Sequence, residues 1–278
     1  MVSTTDVVES YKNFLELKYP THYKKYCDLF NSNAESAKAE AVTFSLLRSI
    51  PYDIKIAEDI NTGGADFLCK SEDIEFIAEV TCLEAESVSG QSGWKNEVPK
   101  NDTSGSFRMI TRKLLTKASR KAPQLSGYSI PRVLVITCEH IAADFLIGPH
   151  GAETFFTSDT RIEVPIGKPI DNVGLATDLK NAAFFKSKDG VIETCRRSIS
   201  AILLISIVAD KSFLVGILHP DPQYEFSIRL LPSVPFLRMR KGPPADNNIE
   251  IEWVIHKPKP GEYYHRKIDF KDEELRTI

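Results

Sequence analysis

Two acidic residues, Asp66 and Glu79, have the types and spacing that metal chemistry requires. They lie in two strand-like segments, Ala65–Lys70 and Ile74–Cys82, which are joined by a short polar connection. If the turn is symmetric, paired residues have numbers that sum to 145, so that Asp66 faces Glu79. Like charges that face each other across two strands destabilise a sheet, whereas a divalent cation between them removes the penalty. The pairing therefore predicts a site for Mg²⁺ or Mn²⁺, with solvated acids or lysine-paired acids as the alternative.

The alternation of side chains along these strands predicts which residues share a face. One face is uniformly apolar and is expected to be core; its residues are Phe67, Cys69, Phe76, Ala78 and Val80. The other face is expected to carry the acids; its residues are Asp66, Leu68, Lys70, Glu75, Ile77, Glu79 and Thr81.

The elements around the acids follow from periodicity and from turn residues. Up to residue 138 we expect two helices within 5–31 divided at Pro20, a helix Ala34–Arg48 capped by Asn33, a strand Tyr52–Ala57, a loop over 84–105, a helix Ser106–Lys121 ended by Pro123, and a buried strand Pro131–Cys138. After residue 138 we expect a helix Ile141–Leu146, irregular chain at 148–151, helical content at Ala176–Lys186, a hairpin of Ser198–Val208 and Phe213–Leu218, a strand Ile249–His256, and a polar end.

This order of elements predicts an α/β fold with a mixed sheet. Residues 34–138 form an αβββαβ core, in which an antiparallel meander leads through a helical crossover to a buried strand. Residues 1–33 are predicted to be a helical extension, and residues 139–278 a β-containing extension packed on the core as one unit.

A basic stretch follows the two acids. No acidic residue lies between Thr103 and Cys138, where the basic residues are Arg108, Arg112, Lys113, Lys117, Arg120, Lys121 and Arg132. The stretch is either a solvated helix face or a surface that holds a nucleic-acid backbone, and the adjacent acids favour the second interpretation. Residues 108–121 are the candidates for that contact, without readout of sequence.

Together these residues resemble the PD-(D/E)xK nuclease superfamily, which includes restriction endonucleases. Gly64-Ala65-Asp66-Phe67 and then Glu79-Val80-Thr81 correspond to its two acidic motifs, within about 105 residues of matching element order. The chain departs from the family pattern at Ala65, where proline is frequent, and at Thr81, where the catalytic lysine belongs.

The resemblance implies Mg²⁺-dependent hydrolysis of phosphodiester bonds. It assigns Asp66 and Glu79 to the metal, together with the Val80 carbonyl, and Glu40 of the preceding helix directly or through water. Thr81 could hold a water molecule but supplies no positive charge. Lys113 and Lys117, four residues apart on the next helix, are the expected replacements for the missing lysine. Gln124 and Tyr128 have a Q-x-x-x-Y spacing that resembles RecB-type nucleases, but Pro123 and Gly127 argue against a helix there, so we treat it as chance.

Composition limits the class of protein. The chain has 278 residues, 42% hydrophobic and 26% charged, with a net charge of −3, which is ordinary for a globular protein. Its five cysteines contain no C-x-x-C pair, and no apolar run approaches the roughly 20 residues of a membrane span. We therefore expect a cytoplasmic protein with reduced thiols and no membrane partner.

The functional hypothesis from sequence is a metal-dependent nuclease, with DNA expected ahead of RNA and a homodimer left open. The alternative is an inactive nuclease-like fold that binds nucleic acid or protein, which Thr81 favours and the two carboxylates disfavour. A third hypothesis is a metal-using enzyme that acts on another substrate.

Overall fold

A computed structural model describes most of the chain. It covers residues 3–49, 53–59, 63–70, 74–92, 104–158, 160–163, 174–177, 179, 182–189, 191–208, 211–242, 249–256 and 271–272. The helices are α1 (Thr4–Lys18), α2 (Pro20–Ser32), α3 (Ala34–Arg48), α4 (Ala85–Ser92), α5 (Ser104–Leu125), α6 (Ala143–Leu146) and α7 (Pro149–Thr157). The strands are β1 (Asp53–Ile56), β2 (Phe67–Lys70), β3 (Glu75–Leu83), β4 (Arg132–Cys138), β5 (Thr160–Glu163), β6 (Gly174–Thr177), β7 (Phe185–Lys188), β8 (Val191–Thr194), β9 (Ala201–Val208), β10 (Lys211–Leu218), β11 (Phe236–Lys241), β12 (Glu250–Ile255) and β13 (Lys271–Asp272).

The described residues form a mixed sheet of nine strands in the order β1-β2-β3-β4-β9-β10-β11-β12-β13. Strands β1, β2 and β3 are antiparallel neighbours, and β3, β4 and β9 are parallel. The predicted α/β class is therefore confirmed. Strands β9 to β13 continue the sheet that β1–β4 begin, whereas β5-β6 and β7-β8 form two separate two-stranded sheets.

The first three helices are built as their sequence predicts. The Ser3 hydroxyl caps α1, Pro20 begins α2, and the Asn33 side chain accepts a hydrogen bond from Ser36 N at the start of α3. Their apolar stripes pack on the sheet face that carries Phe67, Phe76 and related residues. These helices cover the face that the sequence predicts to be core.

The opposite face of the sheet is also covered, chiefly by α5. Leu68 and Ile77 belong to the same apolar cluster as Ile110 and Leu114 of that helix. The face predicted to carry the acids is therefore buried over its apolar positions, and its polar residues have to find partners or a way to solvent.

The register of β2 and β3 agrees with the symmetric turn. Phe67 pairs with Ala78, Leu68 with Ile77, and Lys70 with Glu75, so each pair sums to 145. Asp66 lies one residue before β2, outside the strand.

Four secondary-structure predictions are wrong. The expected loop at 84–105 begins with helix α4, and its residues 93–103 lie outside the described part. The irregular chain at 148–151 is the start of α7, and the helical content expected at Ala176–Lys186 is replaced there by strand residues of β6 and β7. Finally, Pro123 lies inside α5 instead of ending it.

Side chains explain why α5 continues past its proline. The Ser198 hydroxyl donates to the Ala122 carbonyl at 2.7 Å, and an Arg132 Nη1 donates to the Leu125 carbonyl at 3.0 Å. These bonds satisfy carbonyls that a helix end leaves without partners, so the last turn remains helical.

No helix within the described residues is both long enough and apolar enough to cross a membrane. The five cysteines are all free thiols, and Cys69, Cys82 and Cys138 are buried.

Candidate active site

A tight bend of the backbone delivers Asp66 to the edge of β3. Gly63 and Gly64 have φ values of 76° and 137°, which side-chain-bearing residues rarely adopt. A Cβ atom on Gly64 would lie only 2.9 Å from the Tyr128 hydroxyl oxygen. That hydroxyl accepts a hydrogen bond of 2.9 Å from Ala65 N. The glycine pair therefore lets Tyr128 approach and hold the chain just before Asp66.

The Asp66 carboxylate lies where β2 leaves β3. Strand β2 pairs with β3 only as far as Ala78, so among the described strands none pairs with the β2 side of β3 from Val80 onward. Asp66 Oδ2 accepts a hydrogen bond of 2.6 Å from Val80 N. Because backbone N–H groups of a strand lie in the plane of the sheet, the Asp66 carboxylate is close to that plane, not on the face with Leu68 as the alternation predicts.

Glu79 is buried under α5. It is only 2% exposed, and its Oε1 atom accepts a bond of 2.5 Å from Lys121 Nζ. Its Oε2 atom is buried without a hydrogen-bond partner among the described residues. A buried carboxylate oxygen that lacks a donor costs free energy, so Oε2 of Glu79 is available to a ligand; Oε1 of Glu139 is buried in the same way.

Two further acids lie near Asp66 and Glu79. Glu40 of α3 and Glu58, which follows β1, line a cavity of about 220 Å³ together with Asp66. His22 Nε2 lies 3.0 Å from the Glu58 carbonyl oxygen, and Lys25 Nζ lies 2.5 Å from Glu58 Oε1. Helix α2 thus encloses the acids from the side opposite to α5.

The acids raise one another's pKa. Burial, followed by Glu79 and Glu40, raises the pKa of Asp66 well above its ordinary value. Burial and the charge of Glu58 raise the pKa of Glu40 to about 8. Burial also raises the pKa of Glu79, although Lys121 opposes that shift. A cation among these carboxylates would relieve the repulsion that these directions report.

The lysine at the carboxylates is Lys121, which the sequence assigned only to nucleic-acid contact. Lys113 and Lys117, the predicted replacements, lie elsewhere: the Nζ of Lys113 donates to the Ser87 hydroxyl at 2.6 Å, and Lys117 lines a groove between α4 and α5. The spacing of four residues offered the signal, because Lys121 continues the Lys113–Lys117 row by one helical turn.

The other predicted residues fall into two groups. Arg112 and Arg120 line the same groove, whereas the side chain of Arg108 lies outside the described residues. Thr81 is half-buried, two residues beyond Glu79 on β3 and therefore on the same face. Glu58 is the site residue that the sequence analysis missed; its only signal was a position directly after a strand that ends near the Gly-Gly bend.

The arrangement could hold a metal only with help from water or substrate. Within the described residues, no group of three or more histidine, cysteine, aspartate or glutamate side chains is arranged to hold a metal ion. Glu40 therefore does not complete a ready three-carboxylate set with Asp66 and Glu79, contrary to its predicted direct role. Two carboxylates supplemented by water and phosphate oxygens are a usual donor set for Mg²⁺, and the unpartnered Glu79 Oε2 fits that chemistry.

Comparisons with known proteins give no further guide. No family model matches the chain, and no curated protein or solved structure matches it significantly.

Proposed function

We propose that the chain is a divalent-metal-dependent nuclease that hydrolyses phosphodiester bonds. The observation that carries the proposal is the buried, unpartnered Oε2 of Glu79, in a carboxylate whose charge also raises the pKa of Asp66. A buried carboxylate oxygen without a donor costs free energy, and a cation bound beside Asp66 would offset that cost.

Asp66 and Glu79 would hold the metal, and the Val80 carbonyl and Glu40, through water, are the remaining candidates. When bound, Mg²⁺ would offset charge on the phosphate and lower the pKa of a coordinated water. The Asp66 carboxylate is fixed for this role by the Val80 N–H, and the bend that carries it is fixed by Tyr128.

Lys121 supplies the positive charge that Thr81 lacks. Its Nζ reaches Glu79 from α5, and it is 26% exposed, so it can also reach a bound phosphate. A fixed ammonium group near the scissile phosphate stabilises the charge that develops in the transition state. The restriction-endonuclease-like core and the preference for DNA belong to the same proposal.

A cleavage assay tests the proposal. Purified protein is incubated with plasmid and with a single-stranded oligonucleotide, in Mg²⁺, Mn²⁺ or EDTA, beside Asp66→Ala and the surface control Lys188→Ala. We expect metal-dependent cleavage by the wild type and by Lys188→Ala, and a loss of at least about 10²-fold in Asp66→Ala. Equal cleavage by all proteins would indicate contamination.

The second candidate is a nuclease-like binding module without catalysis. The ion pair between Lys121 and Glu79 favours it, because that pair already offsets one carboxylate without a metal. Binding of nucleic acid without cleavage by the wild type in either metal would support this candidate over the nuclease.

A further inference from the structure

A basic groove lies between α4 and α5, next to the acids. It has a volume of about 830 Å³ and is lined by Ser87, Met109, Arg112, Lys113, Lys117 and Arg120, among others. Four of these lining residues are cationic, and Glu84 is the one carboxylate among the described lining residues. Its Oε1 atom accepts a hydrogen bond of 3.1 Å from Asn33 Nδ2. The groove therefore fits an anionic ligand.

The groove is narrow. Lys113 on α5 crosses it and donates to the Ser87 hydroxyl on α4 at 2.6 Å, so the walls are separated there by the reach of one four-carbon side chain. The major groove of a DNA duplex is by itself about 12 Å wide, so a duplex is far too wide to enter such a cleft. A single strand is narrow enough to enter it.

The groove is elongated along α5. From Met109 to Arg120 the helix rises about 16 Å, which accommodates at most about five phosphates at the 3.4 Å spacing of one DNA strand. Lys121, at the end of this row, contacts Glu79. A strand bound along the groove would thus lead to the carboxylates.

The lining also offers carbon surface. Of its apolar residues, Leu83 and Val88 are buried, so the half-buried Met109 supplies the accessible carbon atoms, beside the hydroxyl-bearing Ser87 and Thr116. Exposed bases of a single strand can lie against such atoms, whereas the bases of a duplex are stacked inside it.

We propose that this groove binds single-stranded nucleic acid and directs it to the acids, so that the substrate is a single strand or a frayed end. The inference rests on the proposed function for the chemistry at the acids, but the binding itself does not require cleavage.

Fluorescence anisotropy in EDTA tests the binding separately from catalysis. The probes are a labelled 12-nucleotide DNA strand, a hairpin duplex of the same sequence, and a labelled mononucleotide. We expect the strand to bind at least about tenfold more tightly than the hairpin, with a slope of log K against log salt near −3, about 0.7 for each of four cations. The double variant Lys113→Ala/Lys117→Ala should bind the strand about tenfold more weakly or worse, whereas the control variant Lys188→Ala, at an exposed position, should keep the affinity of the wild type.

Each contrary result overturns the inference. Equal or tighter binding of the hairpin would show that a duplex binds on an open surface. Equal binding of the mononucleotide would show that the groove is a small-molecule site. If the strand does not bind, the groove is not a nucleic-acid site. Circular dichroism melts show whether the variants are folded. Single-strand binding without cleavage would retain the inference and reject the nuclease, and cleavage without strand preference would do the reverse.

Discussion

The ammonium group of Lys121 lies 2.5 Å from Oε1 of Glu79, so that helix α5 contributes a cation directly to a buried carboxylate of strand β3. The contact orients Glu79 and leaves its other oxygen, Oε2, without a donor. The pair thus places a positive charge beside a carboxylate oxygen that is available to a ligand.

Replacing Lys121 should impair the chemical step more than binding. We expect Lys121→Ala to lower kcat by about 10²–10³-fold, because the variant loses the charge that stabilises the transition state. The matched control is Lys117→Ala, one turn earlier on the same helix, which should weaken binding and leave kcat within a few-fold. Steady-state kinetics on an oligonucleotide separate the two, and the reverse pattern would refute the assignment of Lys121.

The metal-free protein should lose stability as the pH rises from about 5 to about 8, partly because of Glu40. Its pKa is about 8 in the folded chain against an ordinary value of 4.5. A raised pKa means that the folded state favours the protonated acid, so the stabilisation is complete below pH 4.5 and is lost as the pH approaches 8.

The variant Glu40→Gln keeps a neutral side chain at every pH and serves as the comparison. We expect its Tm in EDTA to equal that of the wild type near pH 5 and to exceed it by several degrees at pH 8. Parallel decline of the two melting curves with pH would show that Glu40 does not carry the effect.

Mg²⁺ should stabilise the protein more at high pH than at low pH. The ligands bind metal only when they are deprotonated, and burial together with Glu79 raises the pKa of Asp66. We expect the Tm gain from 5–10 mM Mg²⁺, a concentration chosen to exceed a weak Kd, to be larger at pH 8 than at pH 6 and absent in Asp66→Ala. A gain that is independent of pH, or that persists in the variant, would point to another site.

Removing the Tyr128 hydroxyl should change the position of Asp66, because that hydroxyl holds the backbone at Ala65. The variant Tyr128→Phe leaves the buried Ala65 N–H without its acceptor, at a cost of about 1–3 kcal/mol. We expect a lower Tm and weaker metal binding, whereas Tyr224→Phe, whose ring packs over Arg132, should retain both. Unchanged calorimetric metal affinity in Tyr128→Phe would show that the hydroxyl does not position Asp66.

Local sequence patterns predicted the surroundings of the site well. The caps and Pro20 set the first helices, and the symmetric turn gave the β2–β3 register, because both depend on short-range geometry. The side chain of Asp66 departs from the alternation because β2 begins only at Phe67, two residues after the predicted start at Ala65, so that Asp66 still belongs to the Gly-Gly bend. The positive φ values of that bend are not encoded in a pattern of polarity.

The parts that sequence could not predict depend on tertiary contacts. The contact of Lys121 with Glu79 depends on how α5 packs against the sheet. The place of Glu58 beside the other acids depends on the packing of α2, whose Lys25 forms an ion pair with it. Tyr128 was dismissed as a motif residue, yet its hydroxyl supports the chain before Asp66 through a contact across 63 residues. The helical prediction at 176–186 failed because strand pairing overrides local propensity.

Anomalous diffraction from a crystal soaked in Mn²⁺ is the most direct test of the metal site. We expect one strong peak within coordination distance of an Asp66 oxygen and of Glu79 Oε2, with the Lys121 contact to Oε1 retained. Full-occupancy Mn²⁺ elsewhere, with no density between these two carboxylates, would contradict it.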